Sequence, residues 1–229
     1  MDLIVESTRE SEILRQAFFQ RGFVLNDRRP DECQMLIDAA VLSKFDGPRI
    51  DLFVHSVCGK LVLSEGMKAR SELDSVLGRL RLMICAREDI FLLKSVTERD
   101  KDLEDMYVLM QGGIDSRVVL DECDYQSRHD ASGEGRIYEA FLLTKLTEIE
   151  DRFDVSIPWK RELKMLAERK LGAKLVLGRL VEGGATFSEL SDGLDLPQSQ
   201  VRAILRQLEE ADEVEVDRSR RPYKINAKG

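Results

Sequence analysis

The sequence predicts an α+β protein that contains two different modules. Short apolar segments with a period of two, such as residues 50–54 and 214–216, predict strands, and longer segments with helical spacing lie between them. Strands and helices mix in the first half of the chain, whereas helices precede a single hairpin near the end. A length of 229 residues is sufficient for one large or two small domains.

Composition and charge restrict the class of protein. A hydrophobic content of 43% with 34% charged residues is typical of a soluble globular chain. No apolar segment has the length of a membrane span, and residues 1–10 lack a basic stretch followed by an apolar one, so we expect a cytoplasmic protein with no membrane partner. A net charge of −8 argues against nonspecific coating of nucleic acid. The four cysteines lack the spacing of a zinc site, which predicts reduced thiols.

The first 126 residues predict a mixed sheet with helices. An aspartate, Asp51, lies inside the most apolar strand, where burial is costly unless the carboxylate is paired, hydrogen-bonded or bound to a cation. A polar turn is expected at residues 64–66, a helix from near Glu72, and an exposed loop over residues 121–135. The other predicted elements are strands at 3–5, 23–25, 34–40, 49–54 and 80–85, helices at 9–21 and 90–95, and a charge-rich, near-helical segment at 94–105.

Residues 127–170 are expected to form a helical connector. Apolar side chains recur with helical spacing from Ile137 to Phe153, which indicates either packing on the first domain or a homodimer interface. A second helix is expected to begin at Pro158 and to continue to Leu171. Because no flexible linker follows it, we expect semi-rigid coupling to the last domain.

The order of these elements and three short motifs resemble the minimal nucleotidyltransferase superfamily, in particular its prokaryotic branch related to abortive-infection toxins. The motifs are the strand 50–53 (Ile-Asp-Leu-Phe) and the segments 89–94 and 99–105. The resemblance implies that three strand carboxylates hold two divalent cations, Mg²⁺ or Mn²⁺, which bridge a nucleoside triphosphate. On this basis Asp51 and Asp2 are the candidate catalytic and metal-binding residues, expected to lie beside each other on adjacent strands at the mouth of a cleft. Lys94 is the candidate phosphate contact.

The chain departs from this family at its start. Met1 and Asp2 begin the first strand, so the Gly-Ser turn and the first Asp-x-Asp carboxylate of the family are absent. Because at most two of the three carboxylates are present, a site for two metal ions is not expected. We therefore expect a domain that keeps the fold without the chemistry and needs no cofactor; the alternative is an active enzyme whose true start lies upstream and which transfers a nucleoside monophosphate to RNA, protein or a small acceptor.

Residues 171–229 have the pattern of a winged helix-turn-helix. A helical pattern ends at Gly183–Gly184, Thr186 and Glu189 form a predicted capping box, and Pro197 introduces a third helix. The period then changes to two, and an arginine-rich tip separates two short strands. This arrangement predicts a hairpin wing beside a helix that enters the major groove.

The predicted partner of this module is double-stranded DNA, bound as a homodimer on paired half-sites. Nine Lys and Arg oppose ten Asp and Glu, so packing or dimerisation is the alternative use of the module. The sequence thus favours a transcriptional regulator, with an active nucleotidyltransferase and a toxin-antitoxin partner as alternatives. The candidate DNA-binding residues are Gln198, Ser199, Gln200, Arg202, Arg206, Arg218, Arg220, Arg221 and Lys224.

Overall fold

The computed structural model describes residues 1–26, 39–97, 99–130, 132–219 and 221–228. The chain divides into two compact units, Met1–Lys160 and Arg161–Gly229. Both units contain helices and strands, which confirms the predicted α+β class. No helix in the described ranges is both long and apolar enough to cross a membrane.

A four-stranded sheet lies in the N-terminal unit, in the order β1 (Asp2–Val5), β4 (Ile50–Val54), β3 (Ala40–Ser43) and β2 (Val24–Leu25). Strand β1 pairs with β4 in parallel, whereas β4 with β3 and β3 with β2 pair in the antiparallel direction. The apolar residues Ile50, Leu52 and Phe53 are buried in the fourth strand, as its sequence predicts. The predicted strand at 34–40 lies almost entirely outside the described residues. The elements are β1 (Asp2–Val5), α1 (Thr8–Phe19), β2 (Val24–Leu25), β3 (Ala40–Ser43) and β4 (Ile50–Val54).

The next segment forms two small hairpins around a short helix. Ser64 begins this helix by accepting a hydrogen bond from the Met67 amide at 3.0 Å, so the predicted polar turn is a helical one. The helix predicted near Glu72 is wrong, because those residues form a strand. Gly78, at a φ of +67°, supplies the positive φ that a two-residue hairpin turn requires, and cross-strand pairing outweighs local helix propensity. The elements are β5 (Ser56–Val57), β6 (Leu61–Val62), α2 (Glu65–Arg70), β7 (Glu72–Leu77) and β8 (Leu80–Ile84).

Four helices complete the N-terminal unit: α3 (Arg87–Ser95), α4 (Asp100–Gln111), α5 (Ser116–Arg128) and α6 (Tyr138–Phe153). The charge-rich segment 94–105 spans the end of α3 and the start of α4. The loop predicted at 121–135 is wrong for the residues up to Arg128, because these belong to α5. Polar side chains of this helix are buried and form hydrogen bonds with buried partners. In α6, Leu142, Leu146 and Ile149 are fully buried, which supports the packing interpretation of its apolar stripe.

The described residues of the C-terminal unit form three helices and a three-stranded antiparallel sheet in the order β10 (Val214–Asp217), β11 (Lys224–Ala227) and β9 (Ala185–Thr186). The first helix continues past Leu171, where the sequence predicted an end, so the predicted domain boundary at 170/171 lies inside it. The capping box of Thr186 and Glu189 and the terminal hairpin are confirmed. The elements are α7 (Lys160–Val181), β9 (Ala185–Thr186), α8 (Phe187–Gly193), α9 (Gln198–Glu210), β10 (Val214–Asp217) and β11 (Lys224–Ala227).

An apolar core joins the helices and the sheet of this unit. Gly172 permits the close approach of α7 to α9, since a Cβ atom there would lie 2.5 Å from Cδ1 of Ile204. The buried members are Val176, Leu180, Ala185, Leu190, Val201, Ile204, Leu208, Val214 and Ile225.

Candidate functional site

The two candidate metal-binding aspartates lie side by side in the N-terminal sheet. Parallel pairing of β1 with β4 places Asp2 in register with Asp51, so both side chains project from the same face. This confirms the adjacency expected of them. Their roles in catalysis and metal binding stay predictions.

Asp51 is engaged by a cation of its own chain. Its carboxylate is buried, with 4% of the residue exposed, and accepts hydrogen bonds from Arg49 Nε at 2.8 Å and Nη2 at 3.2 Å. This two-point contact occupies both carboxylate oxygens. A divalent cation at Asp51 would have to compete with the guanidinium. Of the two residues in register with Asp51 on the neighbouring strands, Asp2 and Val41, only Asp2 carries a carboxylate. This donor set does not fit the paired-metal site that the resemblance implies.

Lys94, the candidate phosphate contact, is also engaged internally. Its ammonium group donates to Asp102 Oδ1 at 2.8 Å and to Asp105 Oδ2 at 2.7 Å, and only 19% of its side chain is exposed. Two carboxylates around one ammonium leave no excess positive charge for a triphosphate. Lys94 therefore joins α3 to α4 in this structure.

Asp102 is the centre of this second group of charges. It also accepts hydrogen bonds from Thr97 at 2.7 Å and from Arg99 at 2.6 Å. Burial raises the pKa of Asp102, but the donors Lys94, Thr97 and Arg99 outweigh it, and the net pKa is lowered.

Arg99 links the two groups of charges electrostatically. Burial lowers its pKa, but the hydrogen bond and charge of Asp102, together with the charges of Asp2 and Asp51, outweigh that effect and raise it. The sequence contained one sign that Asp51 is paired with a cation. Arg49 precedes Asp51 by two residues, so in an extended segment the two side chains lie on the same face.

A third network of charges, centred on Arg70, was not predicted from the sequence. Arg70 of α2 binds Asp89 of α3 through Nη2 at 2.6 Å and Nε at 3.2 Å, and Glu122 of α5 through Nη2 at 2.5 Å. Both carboxylates are buried. Burial raises the pKa of Asp89, and Arg70 offsets only part of this effect. Gln126 extends the network by exchanging two hydrogen bonds with the backbone of Val62.

The candidate DNA-binding residues surround the start of α9 and the β10–β11 hairpin. Gln198 and Ser199 are exposed in the first turn, and no side chain caps this helix. Its first N–H groups are thus available to an anion, as at other helix N-termini. Arg202 and Arg206 follow at a spacing of four residues, both exposed and hence on one side of the helix.

The structure distinguishes among these residues. Gln200 is only partly exposed, and its amide nitrogen lies 3.8 Å from where a Cβ atom of Gly172 would be, so it faces α7. Arg202 lies over the Phe187 ring at 5.1 Å from its centroid, a contact that orients the guanidinium.

The hairpin contributes further cations. Arg218 binds Glu209 of α9 at 2.6 Å, which ties the hairpin to the helix. Arg221 lies 5.9 Å from the ring centroid of Tyr223, and Lys224 is exposed on β11. Arg220 lies outside the described residues.

Comparison with known proteins adds no family to this geometry. No protein-family model matches the chain, and the search of curated proteins found no match.

Proposed function

We propose that the protein is a DNA-binding transcriptional regulator. In this proposal the C-terminal unit is a winged helix-turn-helix in which α9 enters the major groove and the β10–β11 hairpin lies over the flanking backbone. The N-terminal unit is a nucleotidyltransferase-like domain without catalytic activity. The order of helix, short strand, two helices and hairpin, with one three-stranded sheet, supports the first assignment.

The exposed face of α9 is the observation that carries the proposal. Its uncapped first turn presents Gln198 and Ser199, and Arg202 and Arg206 continue the same side of the helix. None of the ion pairs among the described residues involves either arginine. Amide, hydroxyl and guanidinium groups at the start of a helix are the donors that read base edges and phosphates.

The distribution of charge agrees with this use. Residues 161–229 contain 13 Lys and Arg against 12 Asp and Glu, while residues 1–160 contain 22 against 31. The acidity of the chain thus belongs to the N-terminal unit. A net charge of +1 with local basic clusters agrees with a DNA-binding unit that makes few phosphate contacts.

The ion pairs inside the N-terminal unit support its assignment as a domain without catalytic activity. Arg49 holds Asp51, and Asp102 and Asp105 hold Lys94, so the groups that would hold metal and phosphate are already neutralised. Such a domain is suited to assembly or ligand sensing. Asp2 and Asp51 do not form an unengaged pair of carboxylates for phosphoryl transfer, because Arg49 already binds Asp51.

A salt series of DNA-binding isotherms tests the proposal, on duplexes selected from a random pool or taken from the gene's own promoter. Replacing Arg218, Arg220 and Arg221 together with alanine should weaken binding to all sequences and flatten the salt dependence. Replacing Arg202 should instead change discrimination by about 1–3 kcal/mol at one or two base pairs.

A matched variant controls for the loss of charge. Arg161, Lys164 and Arg169 are exposed on α7, and replacing these three with alanine removes the same number of positive charges. This control should bind DNA more tightly than the hairpin variant. If no sequence is enriched and both triple variants bind like the parent, the unit is a protein-interaction module instead.

The alternative, an active nucleotidyltransferase within a toxin-antitoxin system, is favoured by one observation, the register of Asp2 with Asp51. It predicts that label passes from a nucleoside triphosphate to RNA, protein or a small acceptor in the presence of Mg²⁺ or Mn²⁺. Transfer that disappears in Asp51→Asn and weakens in Lys94→Ala would establish the enzyme. No transfer under these conditions is the result that our proposal expects.

A further inference from the structure

One face of helix α7 is exposed from Lys164 to Glu182 and has two leucines at its centre. Leu171 is 42% exposed and Leu175 is 53% exposed, whereas Val176 is buried in the core of the C-terminal unit. Exposed leucines one turn apart form an apolar surface that another helix can cover. We call this face the α7 seam, and its exposed residues are Lys164, Glu168, Leu171, Leu175, Gly178 and Glu182.

The spacing of the α7 seam is that of two helices packed side by side. Its successive residues are four, three, four, three and four positions apart. Alternate steps of four and three are those of the a and d positions in paired helices. This series is the same in both directions, with its centre at Ala173. A two-fold axis at the level of Ala173 therefore places each seam residue opposite a seam residue of an antiparallel copy.

The side chains of the α7 seam are complementary in the antiparallel direction. On each side of the axis, Leu171 of one copy lies opposite Leu175 of the other. Glu168 lies opposite Gly178 of the second copy, where no atom is within 4 Å of the position that a Cβ atom would take. Apolar side chains thus meet at the centre, and a large side chain meets a small one beside them.

Charge favours the antiparallel direction over the parallel one. In a parallel pair Lys164 would lie opposite its own copy, as would each glutamate, whereas in the antiparallel pair Lys164 lies opposite Glu182. Glu168 and Arg179 lie about 40° and 60° from the centre of the seam on the same side, so they also approach each other between copies. Lys174 lies about 80° from the centre and borders the interface without entering it. This complementarity selects a second copy of the chain as the occupant.

Within one chain the charges of the α7 seam form only loose pairs. Lys164 lies 3.8 Å from Glu168, and Arg179 lies 3.7 Å from Glu182, in pairs that are largely exposed. Exposed pairs of this kind contribute little to stability, so the side chains can turn to a second copy at small cost. For the same reason, loss of Lys164 alone should change the affinity between copies by less than about five-fold.

We propose that two copies of this chain associate through the α7 seam as an antiparallel helix pair about a two-fold axis at the level of Ala173. The interface does not depend on DNA binding, although it would supply the homodimer that paired half-sites require. The apolar stripe of α6, the other surface expected to pair two copies, is fully buried at Leu142, Leu146 and Ile149.

Sedimentation equilibrium of the full chain without DNA, over a concentration series, tests the interface. Replacing Leu171 and Leu175 together with glutamate places like charges opposite each other at the centre, and so does replacing both with lysine. Each double variant should raise the dimer dissociation constant at least ten-fold. An equimolar mixture of the two should recover dimers, because opposite charges then meet.

The control is the double variant Met165→Glu, Val181→Glu. Both residues are exposed apolar residues of α7, at 57% and 77%, and both lie about 100° from the centre of the seam. This control should dimerise like the parent. A parent chain that stays monomeric across the series would overturn the proposal. So would seam variants that still dimerise, a mixture that does not recover, or a control that is as weak as the seam variants.

Zero-length cross-linking of the unmodified chain tests the antiparallel direction without any variant. A carbodiimide joins a lysine amine to a carboxylate as an amide. Lys164 and Glu182 are 18 residues apart on one helix, or about 27 Å, so an amide between them can only join two copies. We expect this product in the cross-linked dimer. Its absence where Lys164 is cross-linked to the nearby Glu168 would contradict the antiparallel pair.

Discussion

The two units of this protein use their charged residues in opposite ways. All the buried polar or charged residues of the described chain lie in the N-terminal unit, among them Asp51, Asp89, Asp102, Glu122 and Glu139. The nine buried residues of the C-terminal core are apolar. Buried charges in the first unit therefore hold helices and strands together, whereas ion pairs of the second, such as Arg218 with Glu209, lie at the surface.

This difference has an energetic consequence. A buried carboxylate is stable only while its cation or its hydrogen-bond donors are present, so removing such a partner leaves the carboxylate with the cost of its desolvation. A core of apolar side chains depends instead on shape and volume. The two units should respond to different classes of mutation.

The largest expected effect is in the network around Arg70. Arg70→Met leaves Asp89 and Glu122 buried without a counter-charge and should lower the free energy of unfolding by about 3–5 kcal/mol in urea denaturation. Arg152→Met is the control, because its bonds to Glu104 and Asp100 are exposed and should be worth less than about 1 kcal/mol. Equal losses in the two variants would contradict the distinction between buried and exposed pairs.

The next effect distinguishes two glycines of α7. Gly172→Ala forces a methyl group against the buried Ile204 and should cost about 1–3 kcal/mol through overpacking. Gly178→Ala meets no atom within 4 Å and should stabilise the helix by about 0.5–1 kcal/mol. Denaturation of the two variants measures the difference. Stabilisation by both would show that α7 and α9 are packed less closely than the structure indicates.

Acid should reveal the dependence of the N-terminal unit on its carboxylates. Burial raises the pKa of Asp130, but hydrogen bonds from the Arg136 amide, Ser132 and Tyr138 outweigh it and hold the pKa at about 2. A carboxylate with a lowered pKa stabilises the fold above its unfolded pKa, and this contribution is lost as pH falls through the folded value.

Asp130→Asn should thus be less stable than the parent at pH 7. The difference should shrink between about pH 4 and pH 2, as the parent carboxylate becomes protonated. Unfolding curves at several pH values provide the measurement. A difference that is constant over this range would show that Asp130 acts through its shape rather than its charge.

The smallest effect concerns the link between the hairpin and α9. Glu209→Gln releases Arg218 from its ion pair and should add about one phosphate contact, which steepens the slope of log K against log salt by roughly 0.9. Glu210→Gln removes the same charge at the next position, which is also exposed, and serves as the control. Identical slopes in the two variants would mean that Arg218 does not contact DNA.

Much of the secondary structure follows from local signals. The strand Ile50–Val54, the capping box at Thr186 and the terminal hairpin were predictable because each depends on residues close in the chain. The adjacency of Asp2 and Asp51 came from the family resemblance, and the strand pairing confirms it. The strand, the capping box and the hairpin need no information from distant segments, whereas the pairing of Asp2 with Asp51 joins distant segments and was expected only from the resemblance.

Two wrong elements show where local signals fail. The helix expected near Glu72 is a strand because Gly78 turns it onto β8. The loop expected at 121–135 is helical as far as Arg128. Its polar residues Glu122 and Gln126 are buried because Arg70 and the backbone of Val62 pair with them.

The sequence by itself determined the α+β class, the strand that contains Asp51, the capping box at Thr186 and the hairpin of β10 and β11. The tertiary structure alone decided which charges are engaged, because partners such as Arg70 and Glu122 are 52 residues apart. Ion pairing depends on distance in space and on burial, neither of which periodicity encodes. Hence Lys94 could be recognised as a cation from sequence, but only the fold showed that Asp102 and Asp105 already neutralise it.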